Sequence, residues 1–201
     1  MTVQFKHLAF AMSLAFAWAG IAAFAAGSTP ASESAKSTTK TMSSTKMMSD
    51  SDFAKAAAEG GMAEVKFGQL AEDKANNKDV KDLGQRMVTD HTQADDDLKA
   101  AVAKENISVP TEMDSKDQAT YSRLSQLSGA AFDRAYARDM VRDHKTDIAM
   151  FRREANEGKD PAIKSFAAKT LPTLESHLKE AEHTMDAVSP KISAKTAKKS
   201  S

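Results

Sequence analysis

Apolar residues recur at steps of three and four along four long stretches of the chain, with polar residues between them. This spacing is typical of amphipathic α-helices that bury one face against their neighbours. Ala, Met, Lys, Glu and Asp are plentiful and aromatic residues are scarce, which favours helices over strands. The pattern therefore predicts an all-α domain over residues 52–187, built from helices at about 52–76, 79–105, 128–158 and 161–187.

Local signals set the ends of the first two helices. Asp52 is the expected N-cap of helix one, and Asn76-Asn77 breaks the pattern before helix two. Residues 106–110 end in Pro110 and stop helix two. About 20 residues follow before helix three, including a short helical piece around Lys116 to Leu127. The prediction is a four-helix bundle with a short extra helix between helices two and three.

The last two helices carry clearer signals. Ser128 is a fair N-cap for helix three, and Gly158 is a good stop. Asp160 as N-cap, followed by Pro161 at the first helical position, predicts the start of helix four. Pro172 lies inside helix four, where it removes one backbone hydrogen bond and is expected to produce a kink.

Each apolar stripe contains one titratable residue near the middle of its helix. These residues are Glu64, His91, His144 and His177, and the first two histidines end copies of a Met-Val-x-Asp-His repeat at 87–91 and 140–144. A central residue stays central whichever way its helix runs, so all four are expected to meet in one layer of the bundle.

Burying four such groups unpaired costs on the order of 1–3 kcal/mol each. A transition metal ion (Fe, Cu or Zn) relieves that cost, because neutral imidazoles and carboxylates are its usual ligands. Asp90 and Asp143 directly precede two of the histidines and are expected to assist as hydrogen-bond acceptors or as direct ligands. The predicted metal site is Glu64, His91, His144, His177, Asp90 and Asp143.

Two alternatives to this metal site remain open. The acids and histidines, joined by Asp133 and Tyr136, can satisfy one another as a polar layer that only fixes helix register. Met87 and Met140, each four residues before a histidine, fill the core in the simplest interpretation and favour copper in the other.

Residues 1–25 have the form of a secretory signal peptide. Lys6 and His7 precede an apolar run from Leu8 to Phe24, and residues 23–25 fit cleavage after Ala25. The alternative is an uncleaved membrane anchor, which would be the chain's only membrane contact. With no cysteine for a lipid anchor or a disulfide, export predicts a periplasmic or outer-envelope location.

The two ends of the exported chain are low in bulky apolar residues. Residues 26–51, rich in Ser, Thr and Lys, predict a disordered tether, and residues 188–201 a disordered basic tail. Met42, Met47 and Met48 in the tether are incidental in the simpler interpretation and copper ligands in the other.

With 28 basic and 28 acidic residues, the chain lacks the basic excess that nucleic-acid binding requires. It also lacks a phosphate loop, a nucleophile elbow and a zinc-protease motif.

Five motifs in order resemble the bacterial exported family catalogued as domain of unknown function 4142. They are residues 60–65, 87–91, 128–136, 140–144 and 171–177. The resemblance covers about Asp52 to Ala187 and implies a ferritin-like four-helix bundle in the cell envelope, without supplying an activity. Val88 and Val141 stand where a Glu-x-x-His di-iron motif needs glutamate, which disfavours a ferritin-type iron centre.

Three functions fit these observations. The preferred hypothesis is an exported bundle that binds a transition metal for metal handling or envelope stress protection. The first alternative is a non-catalytic envelope structural or interaction module. The second is a metal-dependent oxidoreductase, which needs an open coordination position.

Overall fold

The computed structural model describes residues 48–103 and 105–190. Their secondary structure is five α-helices, α1 (Asp50–Lys74), α2 (Lys78–Val102), α3 (Ser115–Ser125), α4 (Gly129–Glu157) and α5 (Pro161–Val188). The predicted all-α fold, with four long helices and a short extra helix between the second and third, is confirmed. The predicted signal peptide and most of the tether and tail fall at residues 1–47 and 191–201, outside the described residues.

Two carboxylates fix the direction of the helices. Asp50, at the start of α1, accepts hydrogen bonds from the backbone N–H groups of Lys159 and Asp160, between α4 and α5. Asp133, near the start of α4, accepts from the backbone N–H groups of residues 76 and 77, between α1 and α2. Helix α1 is therefore antiparallel to α4. Helices α2 and α4, which carry the two histidine repeats, run in the same direction.

Three details of the sequence prediction are corrected. Ser49, not Asp52, is the N-cap of α1, because its Oγ accepts the N–H of Asp52. Helix α2 ends at Val102 instead of near residue 105. Asp133 does not join the polar layer, since both carboxylate oxygens hold the turn between α1 and α2.

Two signals in the sequence bear on α5, an N-cap at Asp160 and an internal proline at Pro172, and their outcomes differ. Asp160 accepts the N–H groups of Ala162 and Ile163, as its position before Pro161 predicted. Pro172 lies within one continuous α5, and the kink remains a prediction. None of the helices described between residues 48 and 190 is both long and apolar enough to cross a membrane.

The apolar core consists of two clusters with a polar layer between them. The Tyr136 cluster includes Phe67, Leu83, Met87, Tyr136 and Met140, and the Phe166 cluster includes Phe53, Leu98, Ile148, Phe151 and Phe166. Along α2 and α4 each histidine lies between a methionine of the first cluster and an aliphatic residue of the second. Both methionines are fully buried core residues. The layer between the clusters is therefore a level of the bundle where apolar packing gives way to polar groups.

Candidate metal centre

Three histidines from three helices converge in the polar layer. His91 on α2, His144 on α4 and His177 on α5 are 6%, 0% and 1% exposed. One ring nitrogen from each lies within 4.8 Å of the other two, and the ring centroids are 5.3–5.8 Å apart. Among the described residues, no other group of three or more His, Cys, Asp or Glu side chains brings its ligand atoms this close together.

Hydrogen-bond partners assign the protons of two of the rings. Nδ1 of His144 lies 3.0 Å from the carbonyl oxygen of Met140, one turn earlier on α4. Nε2 of His177 lies 2.8 Å from Oδ2 of Asp90. A carbonyl and an ionised carboxylate only accept, so Nδ1 of His144 and Nε2 of His177 each donate a proton.

The remaining nitrogens of these two rings face each other. Nε2 of His144 and Nδ1 of His177 are 3.3 Å apart. In two neutral imidazoles with the protons assigned above, both nitrogens present a lone pair, and no proton is left to join them. Nε2 of His91 is also buried and has no hydrogen-bond partner among the described residues. The centre of the layer therefore contains two facing lone pairs with no proton between them, and a third ring nitrogen without a partner.

The environment keeps the rings neutral. Burial lowers the pKa of His144 to about 4, assisted by the neighbouring His177. Burial, followed by the two other imidazoles, lowers the pKa of His91 well below its ordinary value. Burial also lowers the pKa of His177, although the hydrogen bond to Asp90 partly offsets it. At neutral pH the layer therefore holds uncharged imidazoles, the form that binds metal.

Asp90 is itself held in place by Arg86 on the same helix. The guanidinium donates to Asp90 through Nε at 3.3 Å, to Glu180 at 2.6 Å and to the Ser176 hydroxyl at 3.0 Å. Burial alone would raise the pKa of Asp90, but the contacts with His177 and Arg86 outweigh it and leave the pKa below its ordinary value. Asp90 is therefore an ionised acceptor that fixes the orientation of His177.

Glu64 lies beside Nδ1 of His144, whereas Nε2 of the same ring faces His177. Its Oε1 is 3.8 Å from Nδ1 of His144, the nitrogen that bonds Met140. Its Oε2 is buried without a hydrogen-bond partner among the described residues. Burial, then repulsion from Asp147 and Asp143, raises the pKa of Glu64 well above its ordinary value. Glu64 is thus beside the histidine cluster and not one of its converging ligands.

The other two predicted participants occupy different places. Asp143 accepts two hydrogen bonds from Arg142 and faces a cavity next to Glu64. Tyr136 is fully buried and stacked on Phe132, and its hydroxyl has no partner among the described residues.

Three contributors to this region lie outside the sequence prediction. They are the Met140 carbonyl, Asp147 and Asp117 of α3. The i, i+4 spacing of Asp143 and Asp147 on α4 was a readable signal for one of them.

The spacing of one ligand pair fits a small transition-metal ion. At a metal–nitrogen distance of about 2.0 Å, two imidazole ligands of a trigonal or tetrahedral site are about 3.3–3.5 Å apart. The facing nitrogens of His144 and His177 already have that separation at 3.3 Å. Two of the three ligands also have the carbonyl or carboxylate acceptor that metal-bound histidines usually carry on the other nitrogen. The centre therefore has three converging imidazoles, of which two are pre-oriented.

The family model described as "Domain of unknown function (DUF4142)" matches residues 32–184, which is most of the chain. The chain therefore belongs to the DUF4142 family, and the resemblance seen in its motifs is confirmed. No curated protein matches the chain.

Two solved structures share the fold. The crystal structure of a DUF305 fragment from Deinococcus radiodurans aligns with a TM-score of 0.61 and 13% identity, covering 69% of this chain and 95% of that one. CopM in the Cu(I)-bound form aligns with a TM-score of 0.57 and 14% identity, covering 70% of this chain and 98% of that one. At this identity, both support the helical-bundle fold alone.

Proposed function

We propose that this chain is an envelope protein that binds one transition-metal ion in the centre of its bundle. His91, His144 and His177 supply the ligands, and Asp90 orients His177. The role is metal handling or envelope stress protection. The periplasmic or outer-envelope location is part of the proposal and rests on the signal-like residues 1–25.

One observation carries the proposal. Nε2 of His144 and Nδ1 of His177 are 3.3 Å apart, while each ring's other nitrogen faces an acceptor. Two lone pairs at that distance in a buried layer repel each other, and a shared cation removes the repulsion. A layer that served only to fix helix register would pair its polar groups with one another. Within the described part of the chain, His91 Nε2 and Glu64 Oε2 have no hydrogen-bond partner.

The donor set favours copper or zinc over iron. Imidazole nitrogen suits Zn, Cu and Fe alike, but the common non-haem iron site adds a carboxylate to two histidines. In the described chain the converging group contains three imidazoles and no carboxylate. The structural neighbour CopM is described in a Cu(I)-bound form. Cu(I) is therefore the first ion to test, and Zn(II) is the second.

Metal analysis of the tag-free protein, purified from the periplasm, tests the proposal. We expect about one metal ion per chain after purification or after loading with Cu(I) or Zn(II). The His91→Ala/His144→Ala double variant should lose this ion. His183 is an exposed histidine on α5, so His183→Ala is the matched control and should keep it.

A metal-free protein whose melting temperature is unchanged by Cu(I), Zn(II) or Fe(II) would overturn the proposal. That result would favour the structural or interaction module, in which the polar layer only sets register. Equal metal content in the double variant and in His183→Ala would also contradict it, because the ion would then bind elsewhere.

A further inference from the structure

A second polar feature lies beside the histidine layer. A cavity of about 50 Å³ opens between α1, α3 and α4. Four carboxylates line it, Glu64 from α1, Asp117 from α3, and Asp143 and Asp147 from α4. Lys116 and Thr146, both exposed side chains, form its rim. The cavity therefore collects acids from three different helices at one place.

The positive charge near this cavity does not balance the acids. Arg142 pairs with Asp143 and also with Asp139, which lies away from the cavity lining. Lys116 is the other cationic group at the rim, and its side chain is exposed. Within residues 48–103 and 105–190, the carboxylates of Asp117 and Asp147 have no hydrogen bond or ion pair. Burial, with repulsion from Asp143 and Asp117, raises the pKa of Asp147 to about 7.

Glu64 is the independent sign of a ligand. The side chain is 2% exposed and lines the cavity, and its Oε2 has no hydrogen-bond partner in the described chain. A buried carboxyl oxygen without a partner costs on the order of 1–3 kcal/mol, and this cost is offset when a bound group satisfies it. Helix α1 nevertheless places this side chain at a cavity that three other carboxylates also line.

We propose that the cavity lined by Glu64, Asp117, Asp143 and Asp147 is a second cation site, for one hydrated divalent ion of the Mg²⁺, Ca²⁺ and Mn²⁺ class. Hard cations of this class take oxygen ligands. The carboxylates surround the cavity without converging on one point, in contrast to the histidines. Some of the coordination is therefore supplied by water, which these ions retain readily. The cavity has room for the ion's waters, since one water needs about 10–15 Å³.

The two sites differ in chemistry and share no residue. The histidine site presents nitrogen donors, which suit Zn, Cu or Fe, whereas the carboxylate cavity presents oxygen donors, which suit Mg, Ca or Mn. Glu64 is the point of contact, because its Oε1 is 3.8 Å from Nδ1 of His144. Occupation of the cavity does not require occupation of the histidine site, so this inference stands independently of the proposed function.

Binding of Mn²⁺ to the chelator-treated full chain, followed by electron paramagnetic resonance, tests the proposal. We expect saturable uptake of one Mn²⁺ per chain and at least tenfold weaker binding in Asp117→Asn/Asp147→Asn. These substitutions keep the side-chain size and relieve repulsion, so the variant should fold. Asp96→Asn/Asp97→Asn removes the same charge from exposed positions of α2 and should bind Mn²⁺ as the unchanged chain does.

A third variant separates the two sites. His91→Ala/His177→Ala removes two imidazoles and should keep its Mn²⁺ binding. No saturable Mn²⁺ binding by the unchanged chain, or equal binding by Asp117→Asn/Asp147→Asn, would overturn the proposal. Loss of Mn²⁺ only in the histidine variant would also overturn it, because Mn²⁺ would then occupy the histidine site.

Discussion

The carboxylate of Asp90 accepts a hydrogen bond from Nε2 of His177 at 2.8 Å. Asp90 immediately precedes His91 on α2, yet it serves a histidine 87 residues later on α5. One Asp-His dipeptide therefore contributes a candidate ligand and the acceptor that orients a different ligand. Because α2 packs against α5, one turn of α2 ties two of the three imidazoles together.

Removal of the Asp90 carboxylate should weaken metal binding without removing a ligand. We expect Asp90→Ala to bind Cu(I) or Zn(II) about 10–100-fold more weakly, the usual effect of losing an acceptor behind a metal-bound histidine. Asp90→Asn keeps an acceptor oxygen but loses the charge. Its affinity for the metal ion should lie between that of the unchanged chain and that of Asp90→Ala. Competition with a chromophoric chelator measures the affinities.

Asp73→Asn on α1 is the control for this series, because Asp73 is exposed and lies outside the polar layer. Its metal affinity should equal that of the unchanged chain. Unaltered affinity in Asp90→Ala would mean that His177 is not a ligand, or that its orientation does not depend on Asp90.

The sequence could predict that the histidines lie at one level of the bundle, because that level depends only on where each residue stands along its helix. Each central residue of a long helix stays central, and His91, His144 and His177 do share one layer. The partner of each aspartate depended on tertiary packing. Asp90 accepts a hydrogen bond from His177, whereas Asp143, at the same place in the second repeat, accepts one from the neighbouring Arg142. Nothing in the local pattern of α3 indicated that Asp117 would dock beside Glu64.

His91→Leu should stabilise the metal-free protein. Nε2 of His91 is buried without a hydrogen-bond partner in the described chain. Replacement of the imidazole by a similar-sized apolar side chain removes that cost, so the free energy of unfolding should rise by about 1–3 kcal/mol. The same variant should lose the stabilisation that added Cu(I) or Zn(II) gives the unchanged chain. Urea unfolding with and without metal measures both effects.

His183→Leu is the matched surface change and should alter the free energy of unfolding by no more than about 0.5 kcal/mol. If His91→Leu instead destabilises the metal-free chain by 1 kcal/mol or more, the histidine contributes to helix register in its own right. That result would favour the structural alternative over metal binding.

Two glycines of α1 should respond in opposite ways to alanine. A Cβ on Gly68 would lie 2.6 Å from the carbonyl oxygen of Gly84, so it would push α1 away from α2. We expect Gly68→Ala to lower the free energy of unfolding by about 1–3 kcal/mol, as overpacking does. A Cβ on Gly60 meets no atom within 4 Å, and Gly60→Ala should raise it by about 1 kcal/mol through helix propensity. Equal effects in denaturant unfolding would contradict the close approach of the two helices.

Glu154, at the end of α4, should make stability depend on pH. The side chain is 5% exposed and its Oε1 has no partner in the described chain. Burial, then repulsion from Asp50 and Asp160, raises its pKa from 4.5 to about 7. The folded state therefore holds a proton that the unfolded state releases at lower pH. The contribution of the protonated Glu154 side chain to the free energy of unfolding is fully present below about pH 4.5 and is lost as pH rises to about 7.

Glu154→Gln keeps the group neutral at every pH and should remove this loss. Relative to the unchanged chain, the variant should gain stability progressively between about pH 5 and pH 7, with no further gain above. Urea unfolding of chelator-treated protein at pH 5, 6, 7 and 8 measures the difference. Glu112→Gln, at an exposed position between α2 and α3, should follow the unchanged chain at each pH. A Glu154→Gln profile parallel to that of the unchanged chain would show that Glu154 ionises in the folded protein much as it does in the unfolded one.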